Sequence, residues 1–265
     1  MKVWHLNHSG VAVETENHLL FFDIFGEALT PAENEGLEKG VINPAQMQDK
    51  DILFFVSHEH HDHFDPKIFG LDKMGKRVRY VLPEEFDEIF EDGIFVHANM
   101  QVQLEDCLIT TFDSTDIGVA YLVEIDGMRI YHAGDLNWWH WEGEEESFNL
   151  DQATRYQHEM QQLKKTLQGK SLDLAFIPMD QRLEQDFARG VICFCESVYA
   201  KHIVPIHFWN DFDALKTMMQ SLQKQDFYDR IVPVAAKGLI LEDNPKRGSS
   251  GMAVMFSSSR SKRSL

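Results

Sequence analysis

A chain of 265 residues with 43% hydrophobic content can bury the core of one large domain or two small ones. Its net charge of −18 is extreme, and the five bases beyond Asp243, the last acid, sharpen it: residues 1–243 carry 43 acids against 20 bases, a charge of −23. Such a body repels polyanions, so neither nucleic acid nor an anionic membrane is expected as a partner.

The first seven residues lack the basic flank and apolar core of a secretion signal, and no apolar run approaches membrane-spanning length, so a cytoplasmic protein is expected. Residues 2–6 and 10–14 read as short strands around the turn-like Asn7-His8-Ser9-Gly10, and residues 19–23 as a third strand ending on Asp23. Strands of one hairpin sheet share its edges. His8 and Asp23 therefore either reach a common site or serve as a turn histidine and a loop-initiating aspartate. Residues 30–44 are polar, with Gly36, Gly40 and two prolines, and read as a loop or rim.

Residues 51–56, D-I-L-F-F-V, have the continuous apolar pattern of a strand covered on both faces. Residues 57–65 follow as S-H-E-H-H-D-H-F-D, and Pro66 then opens a short helix that Asp65 can cap. In an extended segment residues two apart point the same way, so His58 and His60 can grip one metal ion while Glu59 and His61 point elsewhere. Where the chain bends, Asp62 and His63 can turn toward a second ion. Imidazoles mixed with carboxylates suit zinc, iron or manganese better than calcium, which prefers oxygen alone. A solvated acidic loop is the bland alternative, but four histidines packed at a strand end are costly to desolvate unless bound to something.

Residues 78–82, 102–112 and 118–124 read as strands, 84–91 as a helical turn or two, and Asp126-Gly127 as a tight hairpin turn into a strand at 128–132. His132-Ala133-Gly134-Asp135 closes that strand, its glycine allowing a sharp turn that brings a carboxylate inward. Trp138, Trp139, His140 and Trp141 come next, either walling a substrate pocket or anchoring the following segment in the core. Residues 142–146 are acidic and solvated. Residues 150–167 form a polar surface helix with Tyr156, Met160, Leu163 and Leu167 on one stripe. Residues 172–177 read as a buried strand closing on Pro178-Met179-Asp180, and Asp180 joins the candidate pocket. Cys193 and Cys195 are two apart on a helix over 191–201 and diverge, so with Cys107 they read as structural thiols. A strand at 202–207 ends on His207, a helix spans 213–223, and strands are expected at 230–234 and 239–242. Residues 1–243 make one domain; 244–265 are a Ser-, Gly- and base-rich tail expected to be loosely ordered.

His58-x-His60-x-Asp62-His63, His132-Ala133-Gly134-Asp135 and Pro205-Ile206-His207 each stand at the end of an apolar strand. In this order and spacing the chain resembles the metallo-β-lactamase-fold superfamily of metal-dependent hydrolases, from residue 2 to residue 242. Within it the likeness is to the ascorbate-6-phosphate-lactonase-like bacterial branch, not to true β-lactamases. The resemblance implies an α/β fold, a four-layer αβ/βα sandwich of two mixed β-sheets flanked by helices, with the site at one edge. It implies that His58 and His60 bind a first metal, that Asp62, His63 and His207 bind a second, and that Asp135 bridges them. One or two divalent ions are expected, zinc first, with manganese or iron as alternatives.

The chain departs from the family pattern at residues 111–118, T-F-D-S-T-D-I-G, where another first-site histidine is usual. Asp113 is the first candidate to replace it and Asp116 the second. The implied chemistry is attack of a metal-bound hydroxide on an ester, lactone, amide or phosphodiester of a small molecule. Asp62 would orient or deprotonate the water, and His207 with the metals would steady developing charge. The rivals are a non-catalytic small-molecule-binding protein with a partial metal site, motivated by the missing histidine, and a di-iron redox enzyme. The covering helix and the aromatic loop could equally meet a second subunit, making a homo-oligomer.

Overall fold

The computed structural model describes residues 1–47 and 49–243; the expected loose tail lies outside the described residues. Among these, two mixed sheets stand face to face. The first is built from β1 (Lys2–Asn7), β2 (Gly10–Glu14), β3 (His18–Phe22), β4 (Asp51–Phe55), β5 (Arg77–Pro83) and β6 (Gly93–Val96). The second comprises β7 (Gln101–Gln103), β8 (Cys107–Asp113), β9 (Val119–Ile125), β10 (Met128–His132), β11 (Leu172–Pro178) and β12 (Ala200–Ile206). The last strand, β13 (Gly238–Glu242), returns to the first sheet, whose order is β13-β1-β2-β3-β4-β5-β6; the second runs β12-β11-β10-β9-β8-β7. Three helices, α1 (Glu146–Leu167), α2 (Arg189–Ser197) and α3 (Phe212–Ser221), complete the regular structure.

Alternation along the strands sets the layers. Val11, Val13, Leu20, Phe22, Leu53 and Phe55 face the second sheet in one core, whereas Ala12, Leu19, Phe21, Ile52 and Phe54 face outward into another. That outer core is covered by short 3-10 turns, including Gly26–Leu29, Leu37–Lys39 and Pro66–Leu71, which contribute Ala28, Leu37 and Ile68. The fourth layer is α-helical. Tyr156, Met160, Leu163 and Leu167 of α1 are all buried, as their stripe predicts, each stabilising the fold by about 1.5–3 kcal/mol.

Three strand readings change. The strand expected over 102–112 is two, β7 and β8, reversed at 104–106, where Leu104 N–H donates to the Cys107 carbonyl; no Gly or Pro marks that turn. β6 is an unexpected edge strand paired parallel with β5. Residues 230–234 make only an isolated bridge between Ile203 and Ile231, since Pro233 has no N–H to extend a ladder.

Topology then assembles an edge. β3, β4 and β5 are parallel to one another, as are β10, β11 and β12, so their carboxyl ends gather on one side of the sandwich. The β1–β2 turn lies at the same edge, because Val11 pairs with Phe22 in antiparallel register. Tyr121 hydroxyl to the Val56 carbonyl (2.7 Å) and Val119 N–H to the Ser57 carbonyl (2.9 Å) pin the two sheets there.

Candidate metal centre

Five strand ends and one turn deliver the site: Asp23 after β3, residues 57–63 after β4, Asp135 after β10, Asp180 after β11, His207 after β12, and His8 between β1 and β2. Two groups of side chains could each hold a metal ion, their donor atoms lying within 4.8 Å of one another. One is His58, His60 and Asp135. The other is His8, Asp62, His63 and His207. Asp135 also touches the second group, its Oδ1 standing 3.0 Å from His63 Nε2 and 3.3 Å from His207 Nε2. It therefore lies between the two groups.

Buried carboxylates orient the imidazoles from behind. His63 Nδ1–H donates to Asp23 Oδ2 at 2.8 Å, and His207 Nδ1–H to Asp180 Oδ2 at 2.9 Å. Ser57 gives its hydroxyl proton to Asp23 Oδ2 (2.8 Å), so its oxygen must accept from His58 Nδ1–H (2.9 Å). Asp23 thus fixes one histidine of each group, and all three imidazoles turn Nε2 toward Asp135. His132 is excluded from such a role: its Nε2–H donates to the Ser9 carbonyl (3.1 Å) and its Nδ1 accepts from Gly134 N–H (3.1 Å). Gly134 has φ +54°, and a Cβ there would come 2.7 Å from Ser57 Cβ, so the turn that aims Asp135 needs glycine.

The electrostatics are those of a cation site. Burial lowers His63, but Asp135 and Asp23 outweigh it and hold the imidazole well above its ordinary value. Burial likewise opposes Asp135 and Asp180 in raising His207, which still rises to about 9. Asp135 stays well below the carboxylate range despite burial, because His63 and His207 face it. Burial lowers His58 to about 4 and, with His207 and His63 beside it, His8 to about 2. His63 Nε2 and Asp135 Oδ1 are buried without a hydrogen-bond partner among the described residues. Orphaned, inward-facing donor atoms of mixed nitrogen and oxygen character fit a divalent transition metal.

Of the residues singled out from sequence, His58, His60, Asp62, His63, Asp135 and His207 converge. Asp113 does not: it is exposed at the end of β8, where its carboxylate accepts from Ser114 N–H. Asp116 is the acid of that segment that lines the cavity, and burial, then Asp135, raises its pKa. Trp139 lines the cavity, but Trp138 packs beside Tyr156 and the Arg189 guanidinium, and His140 stands 3.9 Å from Asp186, both off its walls. Asp180 is fully buried behind His207 and is also outside the walls; a carboxylate at a strand end beside a ligand histidine serves as its anchor.

The cavity measures about 650 Å³. Its apolar walls are Trp139, Trp141, Trp209 and Phe148, and its cations are Arg155 and Arg182. Arg182 binds Asp180 through Nε and Nη2 while its guanidinium lies over the Trp141 and Trp209 rings at 5.6 and 5.4 Å. No spacing rule in the sequence announces Arg155, Arg182 or Trp209, which reach the cavity from three separate segments.

No protein-family model matches the sequence, and no curated protein matches it at the sequence level. Solved structures do match in shape. A metallo hydrolase from the hyperthermophilic archaeon Ignicoccus hospitalis superposes with a TM-score of 0.62 at 15% identity, over 92% of this chain and 99% of that one. The metallo-beta-lactamase-fold protein YhfI from Bacillus subtilis gives a TM-score of 0.54 at 14% identity, over 91% and 99%. A diiron beta-hydroxylase from Streptomyces venezuelae gives 0.52 at 12%, over 78% of this chain and 44% of that one. The chain has the metallo-β-lactamase fold.

Proposed function

We propose that this chain is a metal-dependent hydrolase of a small molecule, acting on an ester, lactone, amide or phosphodiester bond. The observation that carries the reading is the set of Nε2 atoms of His58, His63 and His207, each ring held by a buried partner behind it, all facing the Asp135 carboxylate. His58 and His60 would hold a first ion, Asp62, His63 and His207 a second, with Asp135 shared. Bound divalent ions supply Lewis-acid polarisation and lower the pKa of water toward neutrality.

The chain's own groups do the rest. Asp62, on the cavity wall, would orient the attacking water and accept its proton. His207, anchored by Asp180, stands where negative charge develops on the scissile group. The indoles of Trp139, Trp141 and Trp209 exclude bulk water and offer a flat apolar surface, which supports a ring-bearing or apolar substrate. Arg155 and Arg182 favour an anionic substituent on it. The acidic body supports a small molecule over a nucleic acid as substrate.

A panel of lactones, esters, amides and phosphodiesters offered to the zinc- or manganese-loaded protein tests the reading. Turnover of at least one bond class, lost on chelation and reduced about 10²–10⁴-fold in Asp62→Ala with the fold retained, is expected. A fully loaded protein that binds panel members yet turns over none would leave a binding protein instead.

A further inference from the structure

His8 belongs by position to the second group of donors, yet its hydrogen bonds are the reverse of theirs. In His63 and His207 the Nδ1 nitrogen donates to a carboxylate, which leaves Nε2 as the nitrogen that faces Asp135. In His8 the Nδ1 nitrogen accepts, at 3.1 Å, from the backbone N–H of Trp209. A nitrogen that accepts from an amide carries no proton, so the ring proton sits on Nε2, and a protonated nitrogen has no lone pair for a metal.

The contact is built in. The segment after β12 wraps His8: His207 N–H donates to the His8 carbonyl (3.2 Å), and His8 N–H donates to Asn210 Oδ1 (3.0 Å). To do so, His207, Trp209 and Asn210 take φ of 64°, 56° and 57°, the left-handed region that non-glycine residues seldom enter. The Trp209 indole lies against the His8 ring with centroids 4.2 Å apart. The nitrogen that results, His8 Nε2, is buried and without a partner among the described residues, and the Asp62 Oδ2 oxygen stands 3.5 Å from it. His8 itself is 1% exposed and forms no part of the cavity wall, whereas Asp62 does.

We propose that His8 is a positioning residue and not a metal ligand: its tautomer is locked by the Trp209 amide, and its Nε2–H faces the Asp62 carboxylate across 3.5 Å and steadies it electrostatically. The proposal rests on the metal-dependent reading for the role of Asp62, but the tautomer itself can be read with or without metal. The locked proton keeps His8 from competing for the ion and directs Asp62 toward the cavity.

Imidazole ¹H–¹⁵N correlation spectra of the whole protein, chelated and zinc-loaded, test it first. His8 is expected in the Nε2–H form in both states, while His63 and His207 carry their proton on Nδ1 when zinc is bound. A His8 Nε2 without a proton in the loaded protein overturns the proposal. Zinc titration against a chromophoric chelator gives the second readout. His8→Ala is expected to bind as many ions as the parent, with the weaker step loosened about 10–100-fold, while His207→Ala loses one ion. Loss of a whole ion from His8→Ala makes His8 a ligand. Unaltered affinity in His8→Ala removes its hold on Asp62. A parent that takes up no zinc refutes the hydrolase reading, and the spectrum of the chelated protein then decides the tautomer alone.

Discussion

Asp23 is the residue on which most of the site's geometry depends. Its two oxygens accept from Ser57 N–H (2.7 Å), Ser57 Oγ–H and His63 Nδ1–H, and through Ser57 it orients His58. An amide at this position has one acceptor oxygen and turns a donor toward groups that are already donors. Asp23→Asn is therefore expected to weaken metal affinity about 10–100-fold without removing any ligand, as measured by competition with a chelator. Asp116 and Asp113 make a sharper pair. Both are exposed, but only Asp116 lines the cavity, so Asp116→Ala should weaken metal binding at His58 and His60 about tenfold or more. Asp113→Ala should leave it unaltered, and equal effects would deny Asp116 its place. The histidine run was legible in the sequence because alternation in an extended segment is a local rule. Asp23 and His8 were legible only as alternatives, because their reach depends on the β2–β3 register and on a segment some 200 residues away.

Among the elements, the end of the sandwich away from the site is held by charge. His18 on β3 bridges Asp126 (2.9 Å) and Asp106 (3.0 Å), and Asp106 receives both terminal nitrogens of Arg79 at 2.8 Å. His18, Asp51 and Asp106 have a spacing that could hold a metal, but Arg77 and Arg79 already occupy the carboxylates. The cluster ties β3 and β5 of one sheet to two turns of the other. The Arg79 guanidinium, with His18, holds Asp106 well below the usual range; burial opposes, but bonds from Thr15, Asn17 and His18 hold Asp126 there too. Both carboxyls bind protons less readily folded than unfolded. Their contribution is complete above the unfolded value of 3.8 and is lost as pH falls through the lower folded values. The melting temperature should drop as pH is lowered below about 4, less steeply in Asp106→Asn. The same slope in both proteins would assign the acid loss elsewhere. Strand positions were mostly legible because their apolar patterns are strong; the turn at 104–106 was not, because this charge cluster holds it in place of Gly or Pro.

At the scale of the molecule, a body of charge −23 surrounds an edge where the carboxylates of Asp23, Asp62, Asp135 and Asp180 meet the buried His8, His58, His63 and His207 and the exposed His60. A bound cation would let those groups share so small a volume. An ion bound only by the folded chain at a hundred times its dissociation constant adds about 2.7 kcal/mol of stability. The two-sheet sandwich was expected through the family resemblance that the three strand-end motifs carry, whereas the 3-10 covering of the outer core, apart from the short helix at Pro66, was not, since its turns lack helical periodicity. On the proposed reading this edge binds two ions through two separable groups of ligands. Elemental analysis of the protein purified without added metal, beside a His58→Ala/His60→Ala variant, tests it most directly. About two equivalents of zinc, manganese or iron are expected, falling to about one in the variant. No metal in the parent protein, even after reconstitution, would contradict it.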